Sequence, residues 1–222
     1  MSRLFIYCAG GHGRVTLVNA RLTNEVNHEW DEICFVDDTP ELRGQTMMGA
    51  KIMSFEDYLA GDPQPTDRFM IAAGETMTRV VLDEKLQKHG IQLGVIVNPD
   101  ACIDSTIEIG PGTQILSHAF VGPNVKLGRC CLLQSLVTVG HDQTVGDYCT
   151  FEPNVWVGGA TNIGTRTYFA PGSMVREGIT IGDNTIIGMG SIVTKSMPSN
   201  VVVYGNPAKI VRENVTGKVF KK

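Results

Sequence analysis

The chain has 222 residues, 42% of them hydrophobic, and a formal net charge of −4, enough for one large domain or two small ones with a sizeable core. An acidic balance offers no basic patch for a nucleic-acid backbone or an anionic membrane, and no run reaches the roughly 18 apolar residues of a membrane-crossing helix. The opening stretch MSRLFIYCAGGHG breaks into glycines too early for a signal peptide, so a cytoplasmic location is expected.

In chain order, residues 4–8 read as a buried strand, 14–22 as a helix and 32–36 as a second strand. A short helix is expected over 54–59 and a strand over 69–73. Residues 77–89 place Val80, Val81, Leu82 and Leu86 at helical spacing, and an apolar run at 95–97 closes the segment. This is the grammar of a parallel α/β unit, about half of a nucleotide-binding fold. A boundary is expected near residue 99, dividing a Rossmann-like domain (1–99) from a second domain (100–222).

The second domain follows a different rule. A large aliphatic or aromatic residue stands at Ile103, Ile109, Ile115, Val121, Leu127, Leu133, Val139, Val145, Phe151, Val157, Ile163, Phe169, Val175, Ile181, Ile187 and Val193. Sixteen positions at a strict spacing of six exclude an ordinary sandwich. Glycine often follows the large residue, as at Gly110, Gly140, Gly158 and Gly182, and a small or β-branched residue such as Ala119, Cys149, Thr167 or Thr185 precedes it by two. The pattern predicts a left-handed parallel β-helix in which three hexads form one triangular coil and both kinds of position point inward. With no long loop inserted, any active site has to lie on the prism faces or between prisms.

Four features carry candidate chemistry. Gly10-Gly11-His12-Gly13 follows the first strand and opens the first helix, where bare backbone and unpaired N–H groups suit a pyrophosphate. A plain strand-to-helix turn would use the same residues. Asp37 and Asp38 end the second strand, where a carboxylate can bind a ribose or base or simply face water. A dinucleotide such as NAD is not expected, because the second mononucleotide unit is missing. His141 lies just past a corner and should project outward, free to act as a general base near neutral pH. Asp142 could hold its tautomer if corner geometry lets neighbouring side chains meet. Gly159 lies eighteen residues on, one coil along, and is expected to leave open space beside the imidazole.

The six cysteines, Cys8, Cys34, Cys102, Cys130, Cys131 and Cys149, show no CxxC spacing and are expected to be mostly buried free thiols, with no zinc or redox motif. Only His118 and His141 fall in the repeats, too few for a three-histidine metal site of carbonic anhydrase type. The lysine-bearing signature of a sugar nucleotidyltransferase is absent too.

Over nearly its whole length the chain resembles the hexapeptide-repeat acyltransferases, and among them the nucleotide-amino-sugar N-acetyltransferases of bacterial glycan and O-antigen synthesis and the related sialic acid O-acetyltransferases. The small N-terminal domain, the hexads and the exit segment Tyr204-Gly205-Asn206-Pro207-Ala208-Lys209 carry the likeness. The resemblance implies a homotrimer that uses acetyl-CoA and no metal. It assigns Gly10, Gly11, His12, Asp37, Asp38, Gly74 and Gln134 to the nucleotide-sugar acceptor and His141 with Asp142 to catalysis. Thr150, Gly159, Pro171, Met189, Pro207 and Lys209 are assigned to CoA in a groove between neighbouring helices, and Arg212 could join Lys209 on its phosphates. The chain departs from the family at Cys8 for glycine, Asp142 for glutamate, Gln134 for asparagine and Thr150 for histidine. The acceptor implied is a 4-amino-4,6-dideoxy sugar on GDP, UDP or dTDP. Sialic acid O-acetylation and non-catalytic nucleotide-sugar binding are the alternatives.

Overall fold

A computed structural model describes residues 2–219. They form two compact units, the first made by the chain up to Gly74 together with Thr78–Pro99, the second by Glu75–Met77 together with the chain from Asp100 onward.

The first unit is built on strands β1 (Arg3–Tyr7), β2 (Glu32–Val36), β3 (Thr46–Met47), β4 (Ala50–Met53) and β5 (Arg68–Ile71), with helices α1 (Gly11–Asn27), α2 (Phe55–Ala60) and most of α3 (Thr76–Lys88). The sheet order is β3-β4-β2-β1-β5, parallel except at β3-β4. Period-two alternation along β1 sends Leu4 and Ile6 into one core with Leu17, Ala20, Phe35 and Met70. It sends Phe5 and Tyr7 to the other face, among Phe55, Tyr58 and Phe69, with ring centroids 4.8 to 6.3 Å apart. The hairpin β3-β4 was not legible in the sequence. Its strands have two and four residues, too few for an alternation signal. They are joined by Met48-Gly49, both at positive φ, the geometry of a two-residue hairpin turn. Helix α1 starts three residues earlier and runs five further than the expected 14–22.

The second unit is a left-handed β-helix of sixteen two-residue strands, β6 to β21 in our numbering, running from Cys102–Ile103 to Ile192–Val193. A five-residue strand β22 (Val201–Gly205) and its antiparallel partner β23 (Ala208–Glu213) close it. Successive coils pair in parallel at a register of eighteen, as in Val121 with Val139 and Val139 with Val157. Phe151 stacks on Phe169 at 4.7 Å in the interior. The small inward residues have a further task, which is to satisfy corner carbonyls: Thr161 Oγ1 donates to Gly158 O at 2.8 Å and Thr167 Oγ1 to both Gly164 O and Gly182 O at 3.1 Å. Ile103 and Ile109 are the exceptions among the large positions, exposed and half-buried, because no earlier coil lies beneath them. Of the six free cysteines, Cys34, Cys130, Cys131 and Cys149 are buried, whereas Cys8 is partly exposed and Cys102 exposed.

The corners contain two distinct devices. Glycine after the large residue is needed for close approach between coils: a Cβ on Gly140 would sit 2.6 Å from Gly159 N. Two residues later the backbone enters the left-handed region, at Asn124, Leu136, Asp142, Asn154, Ala160 and Arg166 among others, a conformation that ordinarily costs a non-glycine residue about 1 to 2 kcal/mol.

Candidate active site

His141 and Asp142 stand on a corner of the second unit. On a straight strand adjacent side chains diverge. Here Asp142 has φ +56°, and the turn brings the two together: His141 Nδ1 lies 2.7 Å from Asp142 Oδ2. A carboxylate only accepts, so Nδ1 is the donor, and in the neutral ring this leaves the lone pair on Nε2. Both side chains are well exposed. Hydrogen bonds from Asn124 and then from His141 hold the Asp142 carboxyl below the usual carboxylate range. Asn124 Nδ2 donates to Asp142 Oδ1 at 3.0 Å. It was not singled out in the sequence, although its place exactly one coil before Asp142 was a usable signal.

Gly159 does lie beside the imidazole, but the space expected there is filled by the ring itself. A Cβ on Gly159 would lie 2.7 to 2.9 Å from His141 Nε2, Cε1 and Cδ2. The ring lies directly over the glycine, which serves as its seat.

The other cofactor candidates divide. Pro171 and Met189 belong to one other corner, one coil apart, where Gly190 N–H donates to Pro171 O at 3.0 Å. Next to them the Tyr204 ring covers Gly188, and Tyr204 pairs across β22-β23 with Lys209. Pro207 and Lys209 are both exposed, and Lys209 also lines a cavity with Lys195, Ser196, Met197 and Pro198. Between that corner and the His141 corner lies the prism face whose outward row includes Phe120, Trp156 and Met174, each more than 40% exposed. Within one chain the two corners flank this face without meeting. Gln134, half-buried, stands beside the Pro171 corner. Thr150 does not share this surface. It is fully buried on the neighbouring face, in an outward row with Gln114, Leu132, Tyr168 and Ile186 that is buried throughout. The expected contact between Thr150 and a ligand beside His141 is therefore corrected: the side chain has no open surface to offer.

The remaining candidates lie in the first unit. Cys8 adopts φ +84°, performing without glycine the turn that glycine makes most easily. Burial, reinforced by Asp37 and Asp38, pushes its thiol up to about 12, so it is no thiolate near neutrality. Gly10 and Gly11 are exposed and have open space where a Cβ would stand, whereas one on Gly13 would lie 2.1 Å from Cys8 O. Gly13 is thus the glycine the loop cannot lose. Asp37 accepts from Ala9 N at 2.8 Å and from Thr39 N at 3.0 Å. Asp38 accepts from Tyr7 Oη at 2.6 Å, Lys85 Nζ at 2.9 Å and Phe55 N at 2.9 Å. Burial raises the Asp38 carboxyl, but these three donors outweigh it and hold it below the usual range. Both carboxylates therefore shape the loop and a cavity of about 490 Å³ lined by Asp37, Asp38, Arg43, Phe55, Glu56 and Lys85, a volume suited to a small ligand. Lys85 lies 4.3 Å from the Phe55 ring centroid. Gly74 O, with Ala73 O, accepts from Arg79 Nη1 at 3.2 and 3.0 Å. Arg43 and Lys85 line this cavity from distant positions that no local motif marks, while Tyr7 and Arg79 are buried behind Asp38 and Gly74.

His12 is largely buried, its Nε2 without a hydrogen-bond partner. Burial, then the charge of Arg79, lowers its pKa to about 4. The folded unit keeps this ring neutral while the unfolded chain protonates it near 6.5. Stability is thus complete above about pH 6.5 and falls as pH drops toward 4, by about 3 kcal/mol in all. Thermal melts across this range should show that loss, and His12→Gln should abolish its part of the slope.

Among the described residues no group of three or more histidine, cysteine or acidic side chains is placed to hold a metal, and no helix is long and apolar enough to cross a membrane.

Comparison with known proteins agrees with this fold. Residues 3–86 match the family model of the PglD N-terminal domain, and residues 160–195 that of the bacterial transferase hexapeptide (six repeats). WeeI from Acinetobacter baumannii superposes with a TM-score of 0.87 at 29% identity, over 95% of this chain and 100% of that one. The acetyltransferase domain of PglB from Neisseria gonorrhoeae gives 0.86 at 25%, over 95% and 100%, and it has also been solved with acetyl coenzyme A. A perosamine N-acetyltransferase variant from Caulobacter crescentus, solved with CoA and GDP-perosamine, gives 0.86 at 25%, over 96% and 98%. Comparison with curated protein sequences yields no match. The fold and its repeats are those of the hexapeptide-repeat acyltransferases. Within that class the chain is similar to sugar N-acetyltransferases, and its N-terminal part matches the PglD N-terminal domain.

Proposed function

We propose that the protein transfers the acetyl group of acetyl-CoA to the amine of a nucleotide-linked amino sugar, a 4-amino-4,6-dideoxy sugar being the acceptor of choice. The observation that carries this reading is the His141–Asp142 pair on an exposed corner, with Nε2 available as a base. The amine attacks the thioester carbonyl, so that a C–N bond forms and the C–S bond breaks. His141 Nε2 takes the amine proton and returns it to the departing thiolate. Asp142 keeps the ring in the required tautomer and stabilises its protonated form.

The glycine loop and the cavity at Asp37 and Asp38 are proposed to bind the nucleotide, and Gln134 to meet the sugar. Pro171, Met189, Pro207 and Lys209 are proposed to bind CoA as parts of a neighbouring copy. The exposed row Phe120, Trp156 and Met174 supports a homotrimer, because an apolar face flanked by both half-sites is completed when a second copy covers it. A cytoplasmic location follows from the two metabolites used. The test is a thiol-release screen with acetyl-CoA across UDP-, dTDP- and GDP-linked amino sugars, with free sialic acid as the competing acceptor. Release with an amino-sugar nucleotide is expected. Release only with sialic acid would make the protein an O-acetyltransferase, and none with any acceptor would leave a binding protein. Sedimentation should give a trimer.

A further inference from the structure

Asp142 has to hold one orientation to keep Nδ1 of His141 protonated, yet it is more than half exposed. Exposed ion pairs of this kind usually contribute little, because water competes and the side chains rotate. The structure supplies an anchor. Asp142 Oδ2 faces His141 Nδ1, while Oδ1 accepts from Asn124 Nδ2 at 3.0 Å. Asn124 is itself held, since its backbone N–H donates to Thr106 Oγ1 at 2.9 Å and that hydroxyl donates to Asp104 Oδ1. Thr106, Asn124 and Asp142 occupy equivalent places on successive coils, eighteen residues apart, so the β-helix register fixes the spacing of the ladder. Asn124 has φ +57°, a conformation that asparagine tolerates better than most residues.

We propose that Asn124 is a positioning residue for acetyl transfer: its side-chain amide pins the Asp142 carboxylate against Nδ1 of His141, which keeps Nε2 free as the base. The role rests on the reading of His141 as the base. It is specific in donor sense, because a carboxylate needs a donor and an acceptor in the same place would repel it. The other charged groups nearby, Asp104 at the far end of the ladder and the Arg176–Glu177 pair on the coil beyond Gly159, stay unchanged in the test.

Two variants separate positioning from packing. Asn124→Gly removes the amide and relaxes the backbone at positive φ. Asn124→Asp keeps shape and backbone preference but turns the donor into an acceptor. The direct readout is the imidazole ¹⁵N spectrum of labelled protein at about pH 8.5, where an ordinary imidazole is neutral, with the His141 signals assigned by their absence in His141→Asn. The wild type is expected to show mainly the Nδ1–H tautomer and both variants a mixture. In parallel, kcat should fall about fivefold to tenfold, the scale of one ordinary hydrogen bond lost at an exposed site, while KM for acetyl-CoA stays put. An unchanged tautomer in both variants, or a loss in Asn124→Gly alone, overturns the proposal. If the wild type releases no thiol with any acceptor, the acetyl-transfer reading fails, and the tautomer comparison still decides what Asn124 does.

Discussion

Replacing His141 by asparagine is expected to lower kcat for thiol release by about 10² to 10⁴, the range that a positioned general base contributes. Asparagine keeps a polar side chain of similar reach but has no basic nitrogen at neutral pH, so the amine must lose its proton to water. The side chain is exposed and its partners are Asp142 and the bare surface of Gly159, so the melting temperature and the affinity for acetyl-CoA measured by calorimetry should stay near wild type. Near wild-type turnover would remove His141 from the mechanism.

The second large effect is expected from a single methyl group. In Gly159→Ala the new Cβ would lie under 3 Å from three ring atoms of His141, so one of them has to move. The ring is the one that moves, being an exposed side chain facing a backbone locked between coils, where Ala160 N–H donates to His141 O at 2.8 Å and Gly178 N–H to Gly159 O at 3.0 Å. A displacement near 1 Å at a base can cost about 10² in rate. The variant should therefore lose about a hundredfold in kcat with little change in thermal stability. Its ¹⁵N or crystallographic signature would be a rotated imidazole. A destabilised β-helix with normal kcat per folded molecule would show instead that the glycine serves the backbone alone.

The two glycine positions of the hexads show how sequence and structure divide the work. Gly140 could be understood at once as a residue without a Cβ, but the reason is the approach of the next coil, while the left-handed turn falls two residues later on Asp142. That shift makes the contact between His141 and Asp142 possible. In the first unit most strands and helices were legible from their apolar runs and spacing, whereas the hairpin at residues 46–53 and the neighbours that hold Asp37 and Asp38 were not. Both carboxylates are engaged by neighbours of the loop, through Ala9, Thr39, Phe55, Tyr7 and Lys85, contacts that join residues as much as 47 positions apart.

By itself the sequence determined the β-helix, its eighteen-residue coil and the outward placement of His141, because a strict period acts locally and every coil repeats the same steric problem. It also determined the glycine loop and the resemblance to hexapeptide-repeat acyltransferases. Only the tertiary structure decided that Asp142 meets His141, that Gly159 seats the ring, that Asn124 holds the carboxylate and that Thr150 is sealed away. Those outcomes depend on which side chains the stacking register places above one another and which surfaces it covers, and hydrogen bonds between coils join residues that no local pattern links.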